Sequence, residues 1–412
     1  MTDKSRIECK TNIDYSDKTM KPKNFMKINF TYICTIVVSI LLVFIGYKIS
    51  AKGFADVKDR SQQPPIYGKV LKVIDKSEPD EGLYNFANIK SYRVTFEAKI
   101  TKGAQKGKTI AATQSVNNTV KVSVRDVRKG DYITLTETPA GWYFTGYIRT
   151  YKLLILGLLF VISVLVFGGK KGLNTVLSLG LTCAAVFLVF IPSILTGKNV
   201  YVMAVIVCLY TTIMTLSLVV GFNVKSLTAA IGCMSGVLVT GIISLIMDKA
   251  LFFTGIVDEH TRHLGSASFY APINLRGIIF AGIIIGAMGA IMDVAMSMSS
   301  ALWEVKEKAG KISFKELFRS GLNIGRDVMG TMANTLVLAY ISSSLSIVLM
   351  LSIYSASISN LFNSEMIAVE VLQALAGSFG ILSAMPLTAF FCSTIYLKNK
   401  SPRTDTNSGG KQ

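Results

Sequence analysis

The feature that most constrains this chain is a series of separate apolar runs, each about 18 residues or longer. They fall at about residues 28–47, 152–168, 174–195, 200–220, 228–247, 277–297, 332–355 and 368–397. A helix of this length matches the apolar thickness of a bilayer, roughly 30 Å. The sequence therefore predicts a polytopic α-helical membrane protein with about eight transmembrane helices. The last run fits either one tilted helix or an interfacial turn at 366–376 followed by a span interrupted near Pro386.

The charge of the chain is best explained by membrane topology. The net charge is +18, but many of the Lys and Arg residues flank the apolar runs instead of gathering on a soluble surface. Such residues accumulate in cytoplasmic loops, and their distribution here predicts that both termini are cytoplasmic. We therefore expect the lipid bilayer as a partner and no nucleic acid.

A different periodicity appears between the first and second apolar runs. Apolar and polar residues alternate over Tyr92–Ile100 and Val120–Val124, as in half-buried strands. Further short runs lie at 69–74, 109–113, 132–137 and 142–148. This pattern predicts a small extracytoplasmic all-β domain of five or six strands, either a sandwich or a barrel, with an OB-like barrel preferred.

These patterns divide the chain into six parts. An uncleaved anchor is favoured over a signal peptide because the first apolar run is long and lacks a convincing small-residue cleavage site. The parts are a basic cytoplasmic arm (1–27), a transmembrane anchor (28–47), a linker (48–65), the β domain (66–149), a seven-helix transmembrane domain (150–397) and a disordered cytoplasmic tail (398–412).

No motif predicts a catalytic centre, a cofactor or a metal. The segment Gly103–Thr109 resembles a phosphate-binding loop but has one residue too few between its glycines, so a hairpin turn is favoured. The loop group Asp258, Glu259, His260 and His263 could hold a metal, but a solvated loop is favoured. The six cysteines include no C-x-x-C pair, which indicates neither a disulfide framework nor a thiolate metal site.

One apolar run carries a carboxylate. Gly282, Gly286, Gly289 and Asp293 share one helical face because residues three and four apart stack above one another. A carboxylate inside a span needs a partner, a proton or water. The glycines are assigned to helix packing, but whether they admit another helix or leave room for an ion stays open at this point.

The following segment brings further polar groups to the same depth. Arg326, Asp327 and Asn334 enter the predicted membrane from the side nearer Asp293. These four residues form a candidate site for an ion or a proton. The alternative is a salt bridge from Arg326 to either carboxylate, with no role in transport.

Two longer motifs carry a family resemblance. They are Gly286-Ala-Met-Gly-Ala-Ile-Met-Asp293 and Ser320-Gly-Leu-Asn-Ile-Gly-Arg-Asp327, and the second is followed by Gly330-Thr-Met-Ala-Asn-Thr335. From about residue 150 to 395 the chain resembles the YibE/F-like family of bacterial multipass membrane proteins. The resemblance implies an integral protein of the bacterial plasma membrane. Its role is uncharacterised, although members are sometimes supposed to be transporters.

Two functional hypotheses follow from different classes. The first is a permease-like transporter, coupled to protons or cations, in which Asp293 and Asp327 bind the ion while Arg326 and Asn334 orient them. The second is a non-transporting envelope scaffold or assembly factor that binds a partner through its β domain. The solute or protein partner is not given by the sequence, and a homo-oligomer is left open.

Overall fold

The computed structural model describes residues 23–50, 66–77, 92–103, 105–116, 125–267, 273–354 and 358–398. These residues belong to two compact units, one formed by residues 1–52 and 177–412 and the other by residues 53–176. The helices are α1 (Lys23–Ser50), α2 (Thr150–Ala184), α3 (Val200–Val219), α4 (Val224–Ala250), α5 (Glu259–Ala267), α6 (Leu275–Ala309), α7 (Phe314–Tyr354), α8 (Ile358–Phe362) and α9 (Glu365–Lys398). The chain is mostly helical, as predicted.

Seven helical segments within the described residues are long and apolar enough to cross a membrane. One of them, Thr150–Leu195, covers two of the predicted spans. It consists of α2, a π-helical segment at Ala185–Phe190 and a short α-helical end at Ile191–Leu195. Its 46 residues would extend roughly 69 Å, more than twice the apolar core of a bilayer. The helix is broken at Gly169, where φ is 52° and ψ is −128°, values that suit a residue without a Cβ.

The second unit contains the predicted small β domain. Its strands are β1 (Ile66–Ser77), β2 (Tyr92–Lys102), β3 (Thr109–Val116), β4 (Tyr132–Thr138) and β5 (Gly141–Tyr147). They pair in the order β1-β2-β3-β5-β4, and β4 returns to β1, so the sheet closes into a barrel. All neighbours are antiparallel except β3 and β5. Five strands are therefore confirmed, while the predicted strand at Val120–Val124 lies outside the described residues.

The alternating pattern of β2 explains how it lines the interior. Val94, Phe96, Ala98 and Ile100 are each no more than 1% exposed, so every second residue faces the core. The turn after β2 is the predicted hairpin, because the amide of Gly107 donates to the carbonyl of Ile100 at 2.8 Å. The segment that resembles a phosphate-binding loop is thus a β2–β3 turn.

Helix α6 occupies the centre of the helical unit. It packs against α3, α4, α7 and α9. A close crossing lies between α4 and α9, where a Cβ added to Gly236 would lie 2.8 Å from the Cβ of Ala384. Gly232 similarly faces Thr388, and Gly380 faces Thr240. Small residues at this spacing let two helix backbones approach closely.

A buried hydroxyl cluster joins α4, α6 and α9. The side-chain oxygens of Thr228, Ser299 and Tyr396 are mutually within 2.9 Å, and all three residues are 0% exposed. Ser299 also donates to the carbonyl of Lys225 at 2.7 Å. The ring of Trp303 packs edge-on against Tyr396, with centroids 5.0 Å apart. Each of the three hydroxyls in this cluster therefore has a partner, as burial requires.

Three helices can be compared with the predicted boundaries. Helix α7 begins at Phe314, so the predicted span near 332–355 and the charged segment before it form one continuous helix. Arg319, Arg326 and Asp327 lower the hydropathy of its first half without breaking the helix. Helix α9 is continuous through Pro386, which corresponds to the single-helix alternative. The loop with His260 and His263 contains the short helix α5.

Candidate functional site

Helix α6 has two contrasting faces. Its buried face carries large apolar side chains and alanines, among them Ile284, Met288, Ile291 and Met298. Its other face consists of Gly282, Gly286, Gly289, Asp293 and Ser297, all of which are exposed. We call these five residues the α6 open face. The glycines and Asp293, which the sequence predicts on one side of the helix, thus lie together on the open face. No other described helix buries this face.

The open face lies between α3 and α7. Met288 contacts α3 through its sulfur, which is 3.1 Å from the hydroxyl of Thr211. Gly286 contacts α7, since a Cβ added there would lie 2.6 Å from the hydroxyl oxygen of Tyr340. Gly289 lies between the side of α6 that faces α3 and the side that faces α7. A Cβ added to Gly289 would meet nothing within 4 Å. The helix is therefore covered on both flanks and uncovered at Gly289.

The three glycines have different surroundings. Gly286 makes room for Tyr340, as a helix-packing glycine does. At Gly282 the nearest atom is the side-chain nitrogen of Gln373, 4.0 Å away, and at Gly289 there is open space. The close helix packing instead uses Gly232, Gly236 and Gly380, which the sequence reading did not single out.

The contacts between α6 and α7 fix the level of Asp293. Gly286 meets Tyr340, and Met298 meets Gly325, so the two helices run antiparallel. Interpolation between these contacts puts Asp293 level with about Thr331 and Ser297 level with about Arg326. Asp293 and Arg326 are therefore about one helical turn, roughly 6 Å, apart along the helix axes.

Arg326 lies on the flank of α7 that adjoins the open face. It precedes Tyr340 by fourteen residues, which is close to four full turns, so the two residues share a side of the helix. Around the axis of α7, Asp327 lies about 100° from Arg326, and Asn334 lies about 80° from Arg326 in the same direction. All three residues are exposed. Helix geometry thus puts Arg326 and Asp293 at nearby levels of two packed helices, whereas Asp327 and Asn334 lie on another side of α7.

The candidate site residues form no ion pair with one another in the described part of the chain. Within the described residues, Asp293, Arg326 and Asp327 make neither a salt bridge nor a hydrogen bond. The predicted alternative of a static salt bridge from Arg326 is therefore not observed. A carboxylate and a guanidinium lie on adjacent open faces, and each retains its full hydrogen-bonding capacity.

A second polar group lies two turns before Asp293, and the sequence reading missed it. It consists of Tyr340 from α7 and Gln373 from α9, beside Gly286. The hydroxyl of Tyr340 is buried and lies beside the side-chain amide of Gln373. Glu370 is one turn before Gln373 on the same side of α9. A signal was available, because Glu370 and Gln373 are the polar interruptions of the last apolar run.

A comparison with protein families identifies the helical part of the chain. Residues 156–398 match the family described as YibE/F-like protein. The chain belongs to the YibE/F-like family. The predicted resemblance is therefore confirmed, and the match includes the α6 open face together with Arg326, Asp327 and Asn334. The strands of the barrel precede the matched residues.

Comparisons with curated proteins and with solved structures gave no match. What this YibE/F-like chain can do chemically therefore rests on its own side chains. The carboxylate of Asp293 can bind a proton or a cation, and the guanidinium of Arg326 on α7 could compete with that ion for the carboxylate. The open space at Gly289 lies between the level of Asp293 and the level of Tyr340 and Gln373.

Proposed function

We propose that this protein is a permease-like transporter of the plasma membrane, coupled to protons or cations at Asp293. The observation that carries the proposal is the exposed, unpaired carboxylate on the open face of the central helix. A charged side chain at the centre of a span costs about 2.5 to 3.5 kcal/mol on insertion scales. Such a face is unsuited to lipid and suited to water, an ion or a polar partner.

The polar groups lie at successive levels along the middle third of α6. Tyr340 and Gln373 lie beside Gly286, Asp293 is two turns further, and Arg326 is level with Ser297. From Gly286 to Ser297 the helix rises about 16 Å, roughly half of a bilayer core. Polar groups spaced in this way would give an ion successive contacts between the two sides.

The absence of an Asp293–Arg326 bridge suggests two states of the site. In one state Asp293 holds a proton or a cation and Arg326 is free. In the other, the carboxylate is unloaded and attracts Arg326 from the next turn of α7. Asp327 and Asn334 would act at the outward side of α7, where they are exposed.

The same exposure supports a homo-oligomer. In a twofold interface the same surfaces of two copies meet, so Asp293 of one copy could face Arg326 of the other. Gly289 and Gly330 both have open space around them and would permit close approach. In this arrangement the second copy shields the polar faces of α6 and α7 from lipid.

The topology that this function requires has both termini in the cytoplasm. The long segment Thr150–Leu195 then supplies two crossings separated at Gly169, which gives eight in all. The barrel lies outside, and its strand order with a parallel β3–β5 pair supports assignment as an OB-like barrel.

The proton is the probe for the first test. Proteoliposomes with a trapped pH dye receive gradients of Na⁺, K⁺ or Mg²⁺, and wild type is compared with Asp293→Asn. We expect cation-dependent proton movement in wild type and a loss of at least about tenfold in the variant. Glu304→Gln is the matched control, because it removes an exposed carboxylate from the same helix. Equal rates for wild type and Asp293→Asn would reject the coupling role.

The second candidate is a non-transporting envelope scaffold that binds a protein through the barrel. It is favoured by the uncovered α6 open face, which would equally suit a helix of a partner. In this case Asp293→Asn should lower the abundance of the complex and leave ion movement unchanged. Deletion of residues 66–145 should then abolish the cellular function.

A further inference from the structure

An apolar groove of about 650 Å³ lies between α1, the π-helical segment and α3, away from the α6 open face. Its walls include Val38 and Leu42 of α1, Val189 of the π-helical segment, and Ile206 and Tyr210 of α3. The volume falls in the range of ligand sites, which is about 300 to 1,000 Å³. Along α1 the groove extends from Cys34 to Ser50, or about 24 Å.

The far end of the groove carries a polar group that has no partner. Ser50 lines this end and is 0% exposed. Its hydroxyl makes no hydrogen bond within the described residues. A buried hydroxyl without a partner is unfavourable, so the site gains stability when a ligand supplies an acceptor.

One basic side chain, that of Lys198, lies at the same end. The ammonium group of Lys198 donates to the carbonyl of Ile49, and two of its three N–H bonds remain for another acceptor. Thr196 donates to the carbonyl of Ser50 at 3.2 Å, which holds the two segments together. Helix α3 begins at Val200, so the positive end of its dipole also points to this corner.

We propose that this groove binds an anionic phospholipid, with one acyl chain between α1 and α3 and the phosphate at Ser50 and Lys198. An acyl chain reaches about half of the 30 Å apolar core, which is shorter than the groove. A Lys side chain near the membrane surface attracts anionic lipid head groups electrostatically. The lipid would tie α1 to the rest of the helical unit at the position where the π-helical segment lines the groove.

The test uses the full-length protein, purified in detergent and supplied with equal amounts of phosphatidylglycerol and phosphatidylcholine. Native mass spectrometry counts the lipids retained by each chain. We expect one phosphatidylglycerol per wild-type chain. Leu42→Trp fills the groove and should reduce retention at least tenfold, whereas Ile45→Trp, an exposed α1 position outside the groove, should not.

A second pair of variants tests the head group. Lys198→Ala should reduce the preference for phosphatidylglycerol several-fold, Lys198→Arg should restore it, and Lys249→Ala should leave it unchanged. Ile206→Trp fills the groove from the opposite wall and replaces Leu42→Trp if that variant fails to fold. Equal retention in the groove-filling variants and Ile45→Trp would overturn the proposal. Equal retention of the two lipids by wild type would overturn its anionic part.

Discussion

The phenol oxygen of Tyr396 lies 2.7 Å from the hydroxyl oxygen of Ser299, and both residues are fully buried. Tyr396 belongs to α9 and Ser299 to α6, so this hydrogen bond joins two helices through residues that are 97 positions apart in sequence. Thr228 of α4 completes the cluster at 2.9 Å from Tyr396. Three helices are thus joined at one point in the protein interior.

Tyr396→Phe should therefore destabilise the protein. The substitution removes one hydroxyl and leaves buried partners without it, at a cost of about 1 to 3 kcal/mol. Tyr47→Phe is the matched control, because Tyr47 is an exposed tyrosine of α1 outside the cluster. Thermal unfolding in detergent should show a lower midpoint for Tyr396→Phe only. Equal midpoints for the two variants would contradict the role of the cluster.

Gly236→Leu and Gly289→Leu should have opposite consequences for folding. At Gly236 a larger side chain would collide with Ala384 and Ile291, both 2.8 Å from an added Cβ, so the α4–α9 crossing cannot form. At Gly289 the space is open, and the monomer should fold normally. If a second copy covers the α6 open face, Gly289→Leu should convert a dimer to a monomer. Light scattering of the purified protein measures this mass, and an unchanged mass would exclude a dimer through Gly289.

The stability of the barrel should depend on Asp126 in acid. Burial raises the pKa of Asp126, but hydrogen bonds from Lys76 at 2.8 Å and Tyr92 at 2.6 Å outweigh burial and lower the pKa below its usual value. A carboxyl group with a lowered pKa stabilises the folded state above the unfolded pKa of about 3.9. This contribution is lost as the pH falls through the lower, folded-state pKa.

Asp126→Asn should consequently show less loss of stability between about pH 5 and pH 2 than wild type. Fluorescence of Trp142, which lies in β5, reports barrel unfolding in full-length protein that carries Trp303→Phe. Asp75→Asn is the control, because it removes an exposed carboxylate of β1 and leaves the Asp126 contacts in place. Parallel pH profiles for wild type and Asp126→Asn would refute the assignment.

Glu365 should stabilise the connection that follows α4. Its carboxylate accepts the amides of Thr254 and Gly255, both at 2.8 Å, and the hydroxyl of Thr254 at 2.9 Å. It also lies in the first turn of α9, where a negative charge is favourable. Glu365→Ala should cost about 1 to 3 kcal/mol, and hydrogen exchange at Thr254 and Gly255 should become faster. Glu259→Ala, at an exposed position in α5, should leave both amides protected.

The sequence could predict those parts of the fold that depend on local periodicity. The alternation of Val94, Phe96 and Ala98 with polar residues predicts a barrel strand directly. The apolar runs predict the helices, although α7 begins before its apolar run and carries charges in its first half. Gly169 shows the opposite case, since one residue with a positive φ divides a segment that is otherwise helical throughout.

The surroundings of the candidate site could not be predicted in the same way. Periodicity indicates that Gly289 and Asp293 share a face of α6, but not whether a neighbouring helix covers it. Burial of the opposite face depends on contacts with α4 and α9, which are distant in sequence. Likewise, the separation of Arg326 from Asp327 around α7 follows from the direction of Tyr340, a tertiary contact.

The closure of the barrel limits how the β unit can recognise another protein. Because β4 returns to β1 at Ile66–Lys69, none of the five described strands has an edge that is open along its whole length. The weakest line is the β3–β5 seam, which consists of two residue pairs, Ala112 with Trp142 and Thr113 with Tyr143. A partner of this unit could therefore extend the sheet only along part of a strand edge, and its specificity would reside mainly in contacts with side chains and loops.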